Sequence, residues 1–283
     1  MKTYSRILKF YDEYVDTYRS EDGTLPKMMQ LKRVHTDGVV ANADLIAKAE
    51  NFDAPLHEAS LIAALLHDTG RYEQLKRYNT FRDSDSVDHA AFSFAIVREK
   101  GWIDDKGIMD AILFHNRREI PENLDERTIL LSQIVRDSDK LDIFRVLEEE
   151  LKNNDWRKDS RAFWNLAPGE PPNPAVVEAI MASQPVDYQN IKSLSDFVLI
   201  QVGWMVCGLY FRSAREICYN RHHLDFRRKF LHQLTDSPEI DRICDFALES
   251  LAKSAAPNQD KDVSSEARKS HETFSFLRSL VIL

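Results

Sequence analysis

The sequence predicts an all-α fold. Only 8 glycines and 10 prolines occur in its 283 residues, while Leu, Ala, Glu, Lys and Arg are abundant, a composition that favours helices over strands. Apolar residues recur at helical spacing, and capping residues and glycines delimit several of these stretches. With 43% hydrophobic residues, the chain can bury one large core or one core with a helical extension.

The first clear helical pattern extends from about Pro26 to Glu50. We expect its apolar residues at helical spacing to form the buried stripe, namely Leu31, Val34, Gly38, Ala41, Leu45 and Ala49. His35 is then expected beside that stripe, at or near the core.

A second helix should begin after an Asp53 cap, with Pro55 in its first turn. Its predicted inner face consists of Leu61, Ile62, Leu65 and Leu66. This face leads to His67 and to a predicted stop at Gly70. The polar segment 71–87 then interrupts the helical pattern.

Two shorter helices should follow. Either Ser86 or Asp88 can cap a third helix that has His89 in its first turn. Asp104 is expected to cap a fourth helix, with His115 in its last turn. The candidate ligands therefore lie at helix ends or on inner faces.

A fifth helix is predicted from about Asp125 through the polar run 136–141. Beyond Asn153, a proline-rich connection lies at 167–174. Helical patterns follow at 176–182 and 194–234. Within the second pattern, we expect 198–211 to be a buried helix. We expect three parts: a metal-binding catalytic core over 1–153, a helical extension packed on it over 154–253, and a flexible tail over 254–283.

Composition excludes several functional classes. The net charge of −8 argues against a general binder of DNA or RNA backbones. The three cysteines, Cys207, Cys218 and Cys244, show neither a disulfide framework nor a thiolate zinc spacing. The N-terminus has no signal-peptide core and no apolar run approaches the roughly 20 residues of a membrane span, so we expect a cytoplasmic protein.

The adjacent pair His67-Asp68 follows four core-type residues, and this placement predicts a cation held at the edge of the core. The order His35, His67-Asp68, Asp139, with the motifs Leu-Leu-His-Asp-Thr-Gly-Arg and Asp-Ser-Asp-Lys-Leu-Asp, resembles the HD-domain metal-dependent phosphohydrolase superfamily. His89 and His115 between these motifs resemble its two-metal subset, which includes HD-GYP phosphodiesterases and di-iron oxygenases similar to myo-inositol oxygenase.

The resemblance implies an HD-type helical bundle with one or two divalent metals. One ion would be bound by His35, His67, Asp68 and Asp139, and a second by His89 and His115, with Asp68 as the bridge. Imidazole and carboxylate ligands suit Mn²⁺, Fe²⁺, Co²⁺, Ni²⁺ or Zn²⁺ without selecting among them. Asp137 is an alternative to Asp139 as a ligand, and Asp142 is a candidate partner for a ligand.

Basic residues near these ligands are candidates for substrate binding. His67, Asp68, Arg71 and Lys140 form the expected catalytic set. Arg71, Arg117 and Arg118 are the expected substrate-binding residues, because a guanidinium matches the oxygens of a phosphate. Arg71 has an alternative structural role, pairing with Glu73 or capping a carbonyl. The segment 71–81 could supply a lid or a base-stacking surface.

The expected reaction is metal-dependent hydrolysis of a small phosphate ester, with a nucleotide or dinucleotide as the expected substrate. A di-iron oxygenase and a non-catalytic nucleotide-sensing module are the alternatives. The sequence lacks the P-loop, zincin and serine-hydrolase motifs. It leaves the oligomeric state open. The basic cluster Arg221, Arg227, Arg228 and Lys229 is interpreted as a solvated helix face.

Overall fold

The computed structural model describes residues 3–153, 163–168 and 170–255. These residues form helices and no strand, which confirms the all-α prediction. The helices are α1 Thr3–Asp16, α2 Lys27–Ala49, α3 Ala54–Leu66, α4 Gly70–Tyr78, α5 His89–Lys100, α6 Lys106–Phe114, α7 Glu126–Asn153, α8 Pro174–Met181, α9 Leu194–Gly203, α10 Arg212–Asn220, α11 His223–Leu234 and α12 Glu239–Ala255. Short 3₁₀ turns lie at Asp83–Asp85 and Tyr188–Asn190, and a π-helical turn lies at Trp204–Gly208.

The long helix α7 lies at the centre and packs against α2, α3 and α6. One hydrophobic core joins α1 to α3, α4, α5 and α6. A second core joins α2 and α7 to the helices after residue 163. Because this second core contains residues from both halves, the division of the chain at residue 153 stays a prediction. Within the described ranges, no helix has the length and apolar character needed to cross a membrane.

The predicted helix around His35 is confirmed as α2, but its predicted buried stripe is wrong. Val34 is 40% exposed and Leu45 is 45% exposed, whereas Val39 and Ile46 are fully buried. The buried face also carries the polar residues His35, Thr36 and Asn42. Because these polar side chains face inward, apolar periodicity alone selected the wrong side of the helix.

The predicted helix stop at Gly70 is also wrong. Helix α3 ends at Leu66, and Gly70 is the first residue of α4, so part of the supposedly non-helical segment 71–87 is helical. A Cβ atom at Gly70 would lie 2.7 Å from the backbone nitrogen of Ser93 and 2.9 Å from the carbonyl oxygen of His89. The glycine therefore permits close packing of α4 against α5.

Capping residues were predicted more accurately than faces. Asp53 caps α3, accepting a hydrogen bond from the Leu56 backbone nitrogen. Asp88, one of the two alternatives, caps α5. The fourth predicted helix is capped by Asp105 and not by Asp104, and His115 follows its last residue.

The pattern at 194–234 was expected to be helical throughout, including a buried helix over 198–211. The structure interrupts it with the π-helical turn and with Leu209 to Phe211, before α10 begins. Both carboxylate oxygens of Asp137 accept hydrogen bonds from the Tyr210 backbone nitrogen, and one accepts another from the Phe211 nitrogen. These bonds fix the interrupted segment to α7. Most of the tail predicted over 254–283 lies outside the described residues.

The interpretation of the basic cluster as a solvated face is wrong for Arg227. Its side chain is fully buried and pairs with Glu148 at 2.9 Å. It also donates hydrogen bonds to Gln201 Oε1 and to the carbonyl oxygen of Phe144. Arg227 therefore links α11 to α7 and α9, because a buried guanidinium requires a full set of acceptors.

Candidate metal centre

The six predicted ligands come from three helices and from the turns that follow two others, and their side chains meet in one cluster. Their positions are the inner face of α2, the turn after α3, the first residue of α5, the residue after α6, and the middle of α7. In chain order they are His35, His67, Asp68, His89, His115 and Asp139. Five of them are buried, and the side chain of Asp139 is 18% exposed.

Two histidines and two carboxylates surround the first part of the centre. His35 Nε2 lies 3.0 Å from Asp139 Oδ1, and His67 Nε2 lies 3.7 Å from the same oxygen. Asp68 Oδ2 lies 3.8 Å from His35 Nε2 and 3.5 Å from His67 Nε2. The ligand atoms of His35, His67 and Asp139 form one group that could hold a metal ion, and those of His67, Asp68 and His115 form another.

The other oxygen of Asp68 faces the other two histidines. Asp68 Oδ1 lies 3.6 Å from His89 Nε2 and 3.8 Å from His115 Nε2. The two imidazole nitrogens lie 3.0 Å from each other. Each carboxylate oxygen of Asp68 thus serves a different pair of histidines.

A hydrogen-bond partner at Nδ1 fixes the orientation of each of the four imidazoles. Each Nδ1 atom has a carboxylate or carbonyl oxygen within 2.5–2.8 Å, supplied respectively by Asp142, Ala64, Asp83 and Ile112 for His35, His67, His89 and His115. The two carbonyl oxygens can only accept, so Nδ1 of His67 and His115 must carry the proton. Their Nε2 lone pairs then point into the centre, as required of metal ligands.

Several polar atoms of the centre are buried and have no hydrogen-bond partner within the described residues. They are His35 Nε2, His67 Nε2 and Asp68 Oδ1. Leaving such atoms unsatisfied costs free energy, which a coordinated cation would remove. The donor set therefore fits one or two divalent transition metals.

The electrostatics favour the anionic forms of Asp68 and Asp139 and the neutral form of His115. Burial opposes the charge of Asp68, yet the Lys32 ammonium, His67 and Arg71 hold its pKa well below the usual range. Burial likewise opposes the charge of Asp139, whose pKa is also held low by His35 and His67. Burial and the neighbouring His89 lower the pKa of His115 well below the usual range.

Gly38 makes room for the carboxylate behind His35. A Cβ atom at Gly38 would lie only 1.8 Å from Asp142 Oδ1. Asp142 Oδ2 lies 2.8 Å from His35 Nδ1, and Arg145 holds the same carboxylate from the other side. Asp142 thus occupies the supporting position that the sequence suggested for it.

Two residues of the site escaped sequence reasoning. Lys32 Nζ lies 2.7 Å from Asp68 Oδ2, with only 14% of the lysine side chain exposed. Asp83 contacts His89 Nδ1 at 2.5 Å and Arg71 Nη1 at 3.0 Å. The position of Lys32 one turn before His35 on the same helix was the available signal for its proximity. Asp83 lies in a polar segment that carried no such signal.

Arg71 and Lys140 both line the cavity at the centre, but with different surroundings. Arg71 Nη1 donates hydrogen bonds to Gln74, Asp83 and the Phe81 carbonyl oxygen, so its carbonyl-capping alternative is present. Within the described residues, no carboxylate lies at ion-pair distance from Lys140, whose Nζ contacts the Arg136 carbonyl oxygen at 3.4 Å. Burial and the Arg136 charge lower the pKa of Lys140 to about 8.

The remaining candidates occupy distinct positions. Arg117 is half exposed and pairs with Asp88 at 3.0 Å, while Arg118 lines the same cavity. Arg136 donates to the carbonyl oxygens of both arginines and so supports their loop. Asp137, the alternative to Asp139, points to the backbone of residues 210 and 211 and not to the histidines.

The centre opens into a cavity of about 970 Å³. Its lining includes His89, His115 and Asp139, together with basic residues from the core and aromatic residues from the C-terminal half. A cavity of this size accommodates a small organic ligand. It gives such a ligand access to the buried ligand cluster.

Comparisons with known proteins agree with this geometry. Residues 34–143 match the family model described as HD domain, a segment that contains all six side chains of the centre. No curated protein and no solved structure matches the chain.

Proposed function

We propose that this chain, whose residues 34–143 match the HD-domain family model, is a metal-dependent phosphohydrolase that hydrolyses a small phosphate ester, with a nucleotide or dinucleotide as the expected substrate. The observation that carries this proposal is the position of the Asp68 carboxylate, whose two oxygens face two separate pairs of histidines. That arrangement suits a carboxylate that bridges two cations.

In this proposal, His35, His67, Asp68 and Asp139 hold one divalent metal. His89 and His115 hold a second, which shares Asp68. Bound cations of this kind supply hydroxide near neutral pH and neutralise charge on a phosphoryl group. Asp142 and Asp83 orient the imidazoles of His35 and His89 through their Nδ1 atoms.

The substrate phosphate is expected to lie beside Lys140. Its ammonium lines the cavity next to Asp139 and has no carboxylate partner within the described residues, so its charge is available to an anionic ligand. Arg71 Nη1 donates hydrogen bonds to Asp83 and to the Phe81 carbonyl oxygen, and these bonds fix the orientation of the guanidinium beside Asp68. Arg117 and Arg118 extend the positive charge along the cavity.

The proposal is tested by measuring metal content and phosphate release together. The protein is purified anaerobically, loaded separately with Mn²⁺, Fe²⁺ and Zn²⁺, and incubated with phosphomonoesters, phosphodiesters and nucleotides. Asp68→Ala should lose both metal and activity, because it removes the shared carboxylate. Asp37→Ala, which removes an exposed carboxylate from α2, is the matched control and should retain both.

Two results would contradict the proposal. One is an Asp68→Ala protein that keeps its metal and its full activity. The other is an iron-loaded protein that consumes oxygen with an organic substrate and releases no phosphate from any ester, which would favour the oxygenase alternative.

A further inference from the structure

The cavity at the metal centre is lined in part by residues outside the HD domain. Five aromatic side chains from the C-terminal half belong to this lining: Tyr210 and four others that we call the aromatic wall, namely Trp164, Tyr188, Phe197 and Trp204. They come from the segment after residue 163, the Tyr188–Asn190 turn, α9 and the π-helical turn. The fold thus brings rings from four separate segments to the cavity that contains His89, His115 and Asp139.

These rings are not fully used in core packing. Phe163 and Phe144, which belong to the core, are 2% and 0% exposed, whereas Tyr188 is 51% exposed. The other three members of the wall are partly exposed. Large aromatic rings normally bury their surface on folding, so accessible ring surface in a concave site indicates a binding surface.

Tyr188 is the most exposed ring of the wall, and it lines the cavity together with Arg136, Asp139 and Asp83. Trp164 supports it edge-on, with ring centroids 6.1 Å apart.

Trp204 connects the wall to the basic end of the cavity. It is the first residue of the π-helical turn, and Gly203, Cys207 and Gly208 of the same region also line the cavity. Such turns are rare and occur frequently at functional sites. Lys140 Nζ lies 6.0 Å from the Trp204 ring centroid, and the core ring of Phe144 lies 6.3 Å away.

We infer that the aromatic wall is a subsite for a planar aromatic ring carried by the phosphate ester, with Trp204 as its main stacking surface. This inference rests on the proposed phosphohydrolase function, because Lys140 beside Trp204 is the expected phosphate ligand. A nucleobase and a simple aryl group share the required chemistry, since both present a flat π-face. The helical extension therefore determines which esters bind, while the HD domain supplies the metal ligands.

The test measures binding and not turnover. Phenylphosphonate and cyclohexylphosphonate have six-carbon rings of similar size but differ in planarity, and neither has an ester bond to hydrolyse. Both are titrated calorimetrically, under anaerobic conditions, into the full metal-loaded protein. The methylenephosphonate analogue of adenosine monophosphate is a third probe, which distinguishes a nucleobase subsite from an aryl subsite.

The wild-type protein should bind phenylphosphonate about two- to tenfold more tightly than cyclohexylphosphonate, the range expected for an aromatic contact beyond simple burial. Trp204→Leu should bring this ratio to about one, and Trp204→Phe, which keeps a ring and the fold, should retain part of it. Tyr219→Leu removes a 42%-exposed ring outside the cavity and should leave the ratio unchanged. Tighter binding of the adenosine analogue than of phenylphosphonate would identify a nucleobase.

Equal binding of the two ring probes by the wild type would overturn the subsite, as would a preference that persists in folded Trp204→Leu. If the protein releases phosphate from simple esters and shows no ring preference, the subsite alone fails. If no probe binds and no ester is cleaved, the proposed function fails and the subsite fails with it.

Discussion

Gly38→Ala should weaken metal binding although residue 38 is not a metal ligand. The added Cβ would lie 1.8 Å from Asp142 Oδ1, and real Cβ contacts essentially never fall below 3.0 Å, so the carboxylate must move by about 1 Å or more. Its hydrogen bond to His35 Nδ1, now 2.8 Å, would then exceed normal hydrogen-bond length. His35 would lose the partner that orients its Nε2 atom.

Losing such a partner typically lowers metal affinity about 10- to 100-fold. This corresponds to about 1.4–2.7 kcal/mol of binding free energy. The loss should affect the ion bound by His35 and His67 and leave the ion bound by His89 and His115 in place. Calorimetric titration of the metal-free protein with Mn²⁺ or Co²⁺ would therefore resolve one weakened site and one unchanged site.

Gly107→Ala is the matched control. Its Cβ would approach the end of the flexible Arg127 side chain, which can move without disturbing the metal centre. Circular dichroism would establish that both variants are folded. Unchanged affinity at both sites in folded Gly38→Ala would refute the role assigned to Asp142.

Three further substitutions address other parts of the structure. Asp83→Ala should lower metal affinity about 10- to 100-fold in titrations by removing the partner of an α5 ligand, whereas Asp85→Ala, in the same exposed turn, should not; equal effects would contradict this role. Gly70→Ala should lower the free energy of unfolding in urea by about 1–3 kcal/mol, because its Cβ would meet the α5 backbone; an unchanged midpoint would disprove that contact. Arg227→Ala should cost about 3–5 kcal/mol by removing the buried cation that pairs with Glu148, which would keep its contact with His223, while Arg228→Ala at the surface should cost about 1 kcal/mol or less; similar losses would contradict the buried ion pair.

The sequence identified residues that the fold brings together in one cluster, because their signals are local. His67 and Asp68 are adjacent, they follow an apolar helix, and they precede a distinctive Thr-Gly-Arg segment. Asp139 lies in a similarly distinctive run. Capping residues such as Asp53 and Asp88 are local signals too, since a cap depends on the first turn of its own helix.

The features that escaped prediction depend on how helices cross. Lys32 reaches Asp68 only because α2 packs beside the turn after α3. The inner face of α2 carries polar residues that serve the site, so hydrophobic periodicity selected its exposed side. Gly70 looked like a helix stop because a glycine required for close helix packing has the same sequence appearance as a C-terminal cap.

The aromatic wall illustrates a third kind of limit. Its four rings lie in separate segments of the C-terminal half, and each has an ordinary sequence environment. Trp204 lies in the stretch 198–211 that was expected to be a buried helix, whereas it begins a π-helical turn that lines the cavity. Only the tertiary arrangement brings these rings next to Lys140 and Asp139.

The most direct test of the account is the metal content of the protein after anaerobic purification and reconstitution, compared with that of Asp68→Ala. We predict about two equivalents of a divalent transition metal per chain in the wild type, as in two-metal hydrolytic sites, and a loss of both in the variant. A wild-type protein that binds no metal after reconstitution, or an Asp68→Ala protein that keeps its full complement, would contradict the proposed centre.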